Sequence, residues 1–316
     1  MLSREAIYSS RIEGTVASAE ELAMFEADPT TGRERPSVRE VWNYLSAAEQ
    51  GLERVRAEPG LEIDQSFIQS LHRILMSGAQ RSNEVTPGEF RHVQNWIGRR
   101  VTSIAQARYV PPPPREMFAA LDELALYLKA PHESSGIVRI ALAHYQFEAI
   151  HPFIDGNGRV GRLLVTLLLA KWGFLDLPLL HLSAYFERHI NEYTDRMLAV
   201  SQRGDWRGWV SFFLTGVAEE ADSARQRARS LIALRERYRS EIPRVTTSPN
   251  APRLADFLFS RPIITIPDAA RFLGITYAPA LSIVNLFAKA GILTERPGKR
   301  PRFFVAEEVL ALVKTD

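Results

Sequence analysis

The sequence predicts a mainly α protein: an all-helical core carrying one small β-hairpin, followed by a C-terminal winged-helix domain. Three observations predict it. Apolar residues recur at three- and four-residue spacing through most of the first 240 positions, the period of a helix with one buried face. That pattern is interrupted at 90–109, where β-branched and aromatic residues surround Gly98-Arg99-Arg100 and read as a hairpin. Beyond a proline-bearing break the period restarts in three short segments followed by two short strands. The 316 residues suffice for two domains at about 150 residues each. The expected boundaries are a core at 1–240, a linker at 241–252 and a winged helix-turn-helix at 253–316.

In order along the chain, 1–27 and 37–56 hold good helix formers, separated by the breaker Asp28-Pro29-Thr30-Thr31-Gly32. Asp64 is placed to cap a third helix whose apolar face is Phe67, Ile68, Leu71, Ile74 and Leu75, because its carboxylate can accept a first-turn N–H. Pro111 to Pro114 form a rigid extended stop after the hairpin. Helical spacing resumes at 117–128, 136–150, 158–172, 189–202 and 206–217, then in an arginine-rich stretch at 219–239. Pro243 and Pro252 bracket the linker. The last domain reads as helices near 254–258, 267–273 and 278–290, with strands at 291–294 and 302–305.

Composition removes several functions. There is no cysteine, which excludes disulfides, thiolate metal sites, iron–sulfur clusters and thiol nucleophiles. Met1-Leu2-Ser3-Arg4-Glu5 lacks the apolar core of a signal peptide. The apolar run 163–170 lies between Arg162 and Lys171, far short of the roughly 20 residues that span a bilayer. A cytoplasmic protein without a membrane partner is expected. Net charge is +2, divided as +3 over 250–316 and −1 over the remainder, too small to identify a partner.

One stretch is dense in chemistry: His151-Pro152-Phe153-Ile154-Asp155-Gly156-Asn157-Gly158-Arg159-Val160-Gly161-Arg162. It joins two apolar helices. Gly156-Asn157-Gly158 can turn backbone N–H groups inward at a helix N-terminus, an arrangement that binds phosphate. Arg159 and Arg162 fall in the first turn, where the helix dipole disfavours cations unless an anion is near. Asp155 suits Mg²⁺ bridging phosphate oxygens, and His151 is a base titrating near neutrality. Two other readings use the same residues. Gly156-x-Gly158-x-x-Gly161, with Asp176 twenty residues after Gly156, matches a dinucleotide fingerprint but lacks the preceding strand. His144, Glu148 and His151 share a helix face as metal ligands would, although Pro152 ends that helix.

The stretch resembles the signature of Fic-domain proteins, H-x-F-x-D/E-G-N-G-R-x-x-R, at every defined position, and the resemblance extends from about Ser3 to Val217. It implies a helical core transferring AMP from ATP to a hydroxyl of a protein, itself included. In that family's pattern His151 is the general base and Asp155 holds Mg²⁺. Gly156, Asn157, Gly158 and Arg159 cradle the α- and β-phosphates, Gly161 lies in the same turn, and Arg162 reaches the γ-phosphate. The segment around Ile97-Gly98 and Tyr109 resembles the family's flap, which aligns a target strand by β-augmentation. Tyr193, ahead of Gly204-Asp205-Trp206, resembles a tyrosine beside the adenine. Ser9-Ser10-Arg11-Ile12-Glu13-Gly14 resembles the family's inhibitory motif, which implies that Ser9, Glu13 and Gly14 form a brake in which Glu13 pairs with Arg162 and excludes the γ-phosphate.

In the last domain 276–290 reads as a recognition helix and Arg296, Lys299, Arg300 and Arg302 as a basic wing. Tyr277, Ser282 and Asn285 are its base-reading candidates, few enough that a protein partner or homodimer packing competes with DNA. The expected function is a self-inhibited protein adenylyltransferase. The alternatives are removal of AMP, with Glu13 activating water, and a DNA-binding regulator whose core senses nucleotide.

Overall fold

The computed structural model describes residues 2–27, 35–78, 85–98, 103–130, 135–175, 177–296 and 301–314. Its first 27 residues are two helices, not the single one expected. α1 (Leu2–Ile12) stops at Glu13-Gly14, where Gly14 takes φ +84°, a conformation glycine adopts without steric cost. α2 (Ala19–Ala27) restarts behind a reciprocal cap in which Ser18 Oγ accepts the Glu21 N–H and Glu21 accepts the Ser18 N–H. Ser18-x-x-Glu21 is a capping-box sequence, a signal the helical spacing alone overlooks. The breaker at 28–32 lies outside the described residues.

α3 (Pro36–Ala57) begins on a proline whose missing N–H costs nothing at a helix start. α4 (Gln65–Leu75) is capped as expected, Asp64 Oδ1 accepting the Phe67 N–H at 2.8 Å. Of the hairpin expected at 90–109, the described residues show one antiparallel bridge, Ile97 to Tyr109, and a single 3₁₀ turn at Ile104–Gln106. Its side chains explain why. Gln94 donates to Pro111 O, Arg91 to Pro112 O and Asn95 to Phe153 O, so beyond the bridge the segment is tied to neighbouring loops. Arg99 and Arg100 lie outside the described residues.

α5 (Pro114–Lys129), α6 (Gly136–Ile150) and α7 (Asn157–Lys171) follow. The buried faces of α6 and α7, including Ile140, Phe147, Val160, Leu163 and Leu167, form the centre of the first core. α8 (Leu182–Arg188) was not foreseen, since seven residues are too few to show a period. α9 (Ile190–Arg203) ends at Gly204. α10 (Trp206–Val245) is one 40-residue helix where two were expected. Pro243 lies in its last turn, where the lost N–H affects little of the helix that precedes it.

The chain forms two compact units, 1–16 with 39–221 and 17–38 with 222–316. This division assigns 17–38 and 222–240 to the C-terminal unit, whereas the sequence-based boundary put them in the core. The second unit contains α11 (Ala251–Ser260), β1 (Ile263–Thr265), α12 (Ile266–Leu273), α13 (Tyr277–Lys289), β2 (Thr294–Arg296), β3 (Phe303–Val305) and α14 (Glu307–Lys314). β1 and α14 are additions to the sequence reading, and β2 starts three residues later than expected. The strands pair antiparallel in the order β1-β3-β2.

Strand alternation explains why α2 belongs to this unit. Ile263, Phe303 and Val305 lie on one sheet face and pack with Met24 of α2 and Leu310 of α14. Ile264 and Phe304 point to the other face, into the cluster of Leu254, Leu258, Val284 and Phe287. Both faces of β1 and β3 are therefore dry, while β2 is largely exposed.

In the first unit the Trp209 side chain is fully buried and its indole N–H donates to Ala141 O of α6 at 2.8 Å. Trp209→Ala should cost about 3–5 kcal/mol of stability, as full truncation of a buried aromatic does. Trp209→Phe should cost clearly less in urea melts, because it keeps most of the ring.

Candidate active site

The turn between α6 and α7 carries the dense stretch, and its backbone is held under strain. His151 caps α6 with φ +50° and ψ +60°, and among the described residues it is the one non-glycine with positive φ. Such a conformation persists only when neighbours enforce it. Arg91, 1% exposed, donates through Nε to His151 O at 2.9 Å, and its own backbone N–H donates to Pro152 O. Phe153 is fully buried and stacks on His72 at 3.7 Å. His72 Nε2 donates to Asp155 O at 3.0 Å, while its Nδ1 accepts the Gly88 N–H at 2.9 Å. Asn157 closes the loop on itself: its Oδ1 accepts the Phe153 N–H and its Nδ2 donates to Phe153 O, both at 2.8 Å. The Asn157 amide is thus a brace, and only its backbone is free to face a ligand.

The His151 ring has a defined orientation. Its Nδ1 is 3.3 Å from Glu148 O. A carbonyl only accepts, so Nδ1 carries the proton and Nε2 keeps its lone pair. Burial holds the imidazole down to about 4, and the ring is neutral at pH 7. Asp155 accepts the Gly156 N–H through Oδ1 at 2.6 Å, and its carboxylate is 31% exposed. No cluster of three or more acidic or histidine side chains able to hold a metal occurs among the described residues. A single open carboxylate nevertheless fits Mg²⁺, which is commonly bound through one or two carboxylates plus substrate phosphates.

Arg162 is buried and its guanidinium is engaged by the N-terminal segment. Nε donates to Ser9 Oγ at 2.9 Å, and Nη2 donates to Ser9 O at 2.8 Å and to Glu13 Oε1 at 2.7 Å. Packing opposes ionisation of Glu13, but the Arg162 charge and hydrogen bond override it and hold the carboxyl below its ordinary range. Gly158 makes room for this pairing: a Cβ there would lie 2.2 Å from Glu13 Oε1 and 2.8 Å from Arg162 Nη1. The Glu13 carboxylate therefore covers the N-terminus of α7.

A cleft of about 530 Å³ collects Glu13, Ile97, Gly98, His151, Asp155, Gly156, Asn157, Gly158 and Arg162. Ser9 is fully buried beneath it, and Gly14 forms the turn that ends α1. Tyr193 also lines the cleft, and two expected residues, Gly161 and Arg159, lie elsewhere than the sequence suggested. Tyr193 is 3% exposed, its hydroxyl bonded to His144 Nε2 at 2.7 Å and its ring stacked on Phe186. It is nearly buried where it lines the cleft, so little of its ring is open to a base. The same bond commits His144 and removes it from the metal-ligand trio. Gly161 faces α6, where a Cβ would meet Glu148 Oε1 at 2.3 Å, so helix packing accounts for it. Arg159 is fully buried below the turn rather than beside Arg162 in the cleft, with Glu40 at 3.4 Å and Asp155 at 3.7 Å. The dinucleotide reading fails on context, since α6 and not a strand precedes the glycines.

His72, Arg91, Asn95 and Glu40 were absent from the sequence-derived site, and Glu148 entered it only as one of a possible metal-ligand trio. The first four act through backbone atoms or buried pairs that no spacing announces. Glu148 lines the cleft one turn before His151, with Oε1 buried and without a hydrogen-bond partner. Burial pushes its carboxyl up to about 7, Arg162 lowering it and Glu13 raising it further. A carboxyl raised in the folded state contributes stability that is lost as pH climbs from its unfolded value through about 7. Glu148→Gln should therefore gain stability relative to the parent between pH 5 and pH 8. A difference in melting temperature that stays constant over that range would contradict this.

The comparisons agree with this geometry. Residues 62–169 match the Fic/DOC family and residues 1–53 match the Fic/DOC family N-terminal region. Protein adenylyltransferase Fic of Drosophila virilis is 32% identical over 156 residues, 48% of this chain and 28% of that protein; the Drosophila ananassae protein of the same name is also 32% identical, with 27% covered. The match thus spans under a third of the length of these curated relatives. A Fic family protein from Desulfovibrio desulfuricans shares the fold over 96% of this chain with a TM-score of 0.55 at 19% identity. A Fic domain-containing signaling protein from Bacteroides thetaiotaomicron gives 0.56 over 70% of the chain, also at 19%. With the His151–Arg162 turn built as described, the chain carries a Fic/DOC domain together with its N-terminal region.

Proposed function

We propose that this protein is an adenylyltransferase that moves AMP from ATP to a Ser, Thr or Tyr hydroxyl of a protein, and that Glu13 restrains it. The observation that carries the reading is a neutral His151, its Nε2 lone pair available, in one cleft with the N-terminus of α7 and Arg162. The target hydroxyl gives its proton to Nε2 as its oxygen bonds to the α-phosphorus. The bond from that phosphorus to the bridging oxygen breaks, and pyrophosphate leaves. The Gly156–Gly158 backbone and α7 N-terminus stabilise the phosphates, and the Ile97–Tyr109 bridge segment borders the target's approach. Bound Mg²⁺, held by Asp155, would neutralise phosphate charge.

The restraint is electrostatic. Arg162 cannot serve the Glu13 carboxylate and a γ-phosphate fully at once, and Glu13 adds a negative charge where the triphosphate would enter. The same placement gives the second reading, in which Glu13 directs water at an AMP-modified protein. For the C-terminal unit, helix–strand–helix–helix–strand–strand order supports a winged helix. Its described wing arginines are neutralised, Arg302 by Glu295 at 2.6 Å and Arg296 by Glu20 and Glu307, and Lys299 and Arg300 lie outside the described residues. That charge balance favours a protein partner over DNA phosphate.

Labelled ATP with Mg²⁺ tests the reading. Glu13→Gly should raise modification of the protein itself or of a target by about 10- to 150-fold, the worth of one hydrogen bond to a charged group. Arg162→Ala should erase that gain, a non-additive pair. His151→Ala should lower transfer about 10²–10⁴-fold with ATP binding kept. If Glu13→Gly leaves transfer unchanged and abolishes AMP removal, the hydrolytic reading replaces this one.

A further inference from the structure

We propose that Glu148 is a positioning residue that acts through Arg162: a second acid facing that guanidinium, it opposes the γ-phosphate of ATP once Glu13 has moved aside. The proposal rests on the reading of Arg162 as the residue that meets the γ-phosphate. Glu148 leaves α6 one turn before His151 and lines the same cleft as Glu13 and Arg162. Its Oε1 lies against α7 at the residue before Arg162, where a Cβ on Gly161 would come within 2.3 Å of it. That oxygen is buried without a hydrogen-bond partner. A buried carboxylate without hydrogen bonds is costly to ionise, so its charge depends on what else Arg162 faces.

One cation thus faces two acids. Glu13 Oε1 accepts a hydrogen bond from Arg162 Nη2 at 2.7 Å, while Glu148 Oε1 accepts none. Glu148 and Arg162 still act on each other through charge. Burial opposes the Arg162 cation, and Glu13 and Glu148 both sustain it. At Glu148 burial dominates and pushes the carboxyl up to about 7; Arg162 lowers it and Glu13 raises it. With Glu13 gone and no nucleotide bound, that repulsion is lost and the attraction of Arg162 remains, so Glu148 ionises more readily. A γ-phosphate arriving at Arg162 restores a negative charge there and drives Glu148 to take up a proton. The carboxyl pKa is then higher with ATP bound than without it. ATP affinity is therefore greatest below the free value and falls as pH rises through the bound value. The other ionisable groups around Glu148 keep their charge between pH 6 and pH 8. Burial holds His144 down to about 3 and His151 down to about 4, and pushes Tyr193 of α9 and Tyr109 of the cleft wall upward. Arg108 pairs with Asp195.

Proton uptake separates this role from general damage. The experiment uses the full chain carrying Glu13→Gly and His151→Ala, so that Glu13 does not enter and ATP is not consumed. Binding of ATP and of ADP is measured by calorimetry with Mg²⁺ from pH 6 to pH 8, in buffers of different ionisation enthalpy, which counts the protons taken up. In this parent ATP should take up more protons than ADP, by up to about one. Adding Glu148→Gln should remove that excess and tighten ATP binding at pH 8 about three- to tenfold, the scale of one coupled proton, with ADP binding little changed. The nucleotide phosphates titrate as well, but equally in both chains, so their share cancels in the difference. Adding Arg162→Ala to the parent separates the two claims. If ATP affinity then stays as it was, the γ-phosphate reading fails and the proposal with it. If it drops about tenfold or more, yet the parent and Glu148→Gln take up equal numbers of protons, the reading stands and the proposal alone falls. Weaker binding of both nucleotides by Glu148→Gln at every pH would make Glu148 merely structural and also overturns it. Glu148→Ala covers a glutamine variant that fails to fold: it should lose the same proton uptake, and keeping it overturns the proposal.

Discussion

A guanidinium buried at the start of a helix is the constraint from which most of this site follows. The Arg162 side chain is 3% exposed, in a position where unpaired N–H groups and the helix dipole favour an anion. An isolated charge there would be prohibitively costly. The fold answers it with atoms from α1, which lies 149 to 153 residues away in the chain: the Ser9 hydroxyl and carbonyl and the Glu13 carboxylate. The anion that the glycine-rich turn calls for is thus supplied by the protein itself.

Other buried acids in the same unit show how far α1 is committed to this arrangement. Glu5 of α1 is 2% exposed and accepts from the backbone and hydroxyl of Ser183 at the start of α8. Burial pushes its carboxyl up to about 7 despite those bonds. α1 is anchored at one end by Glu5 and meets the active-site turn at the other. Three residues beyond Glu13 the chain passes out of this unit and into the C-terminal one, where α2 covers a sheet face.

The turn from His151 to Arg162 is held in place by groups that lie outside it or only brace it. His151 keeps an unfavourable backbone conformation because Arg91 and Asn95 bind its carbonyl. His72 fixes the Asp155 carbonyl, and Asn157 spends its side chain on Phe153. These bonds leave exposed only what a phosphate ester can use: backbone N–H groups, one imidazole nitrogen and one carboxylate. Holding such groups before substrate arrives removes reorganisation from the reaction step.

The sequence by itself determined what is local. The twelve residues from His151 to Arg162 are contiguous, so their turn, glycines and charges could be read in order; the Asp64 cap and the long helices follow from periods of a few residues. Glu13 was legible because Ser9 to Gly14 is also one short run. Tertiary structure decided which distant surfaces meet. Tyr193 reads in sequence as a ligand contact, and it stands at the cleft wall almost buried because His144, Phe186 and Trp209 converge on it. The segment at 90–109 has strand-like residues but its polar side chains found carbonyls across the loop instead. Arg159 looked like Arg162 in sequence, three residues away, and was drawn under the turn by a glutamate from α3. A residue's helical phase says which way its side chain leaves the backbone; only the packing of other elements against that face says whether it meets solvent, a ligand or a buried partner.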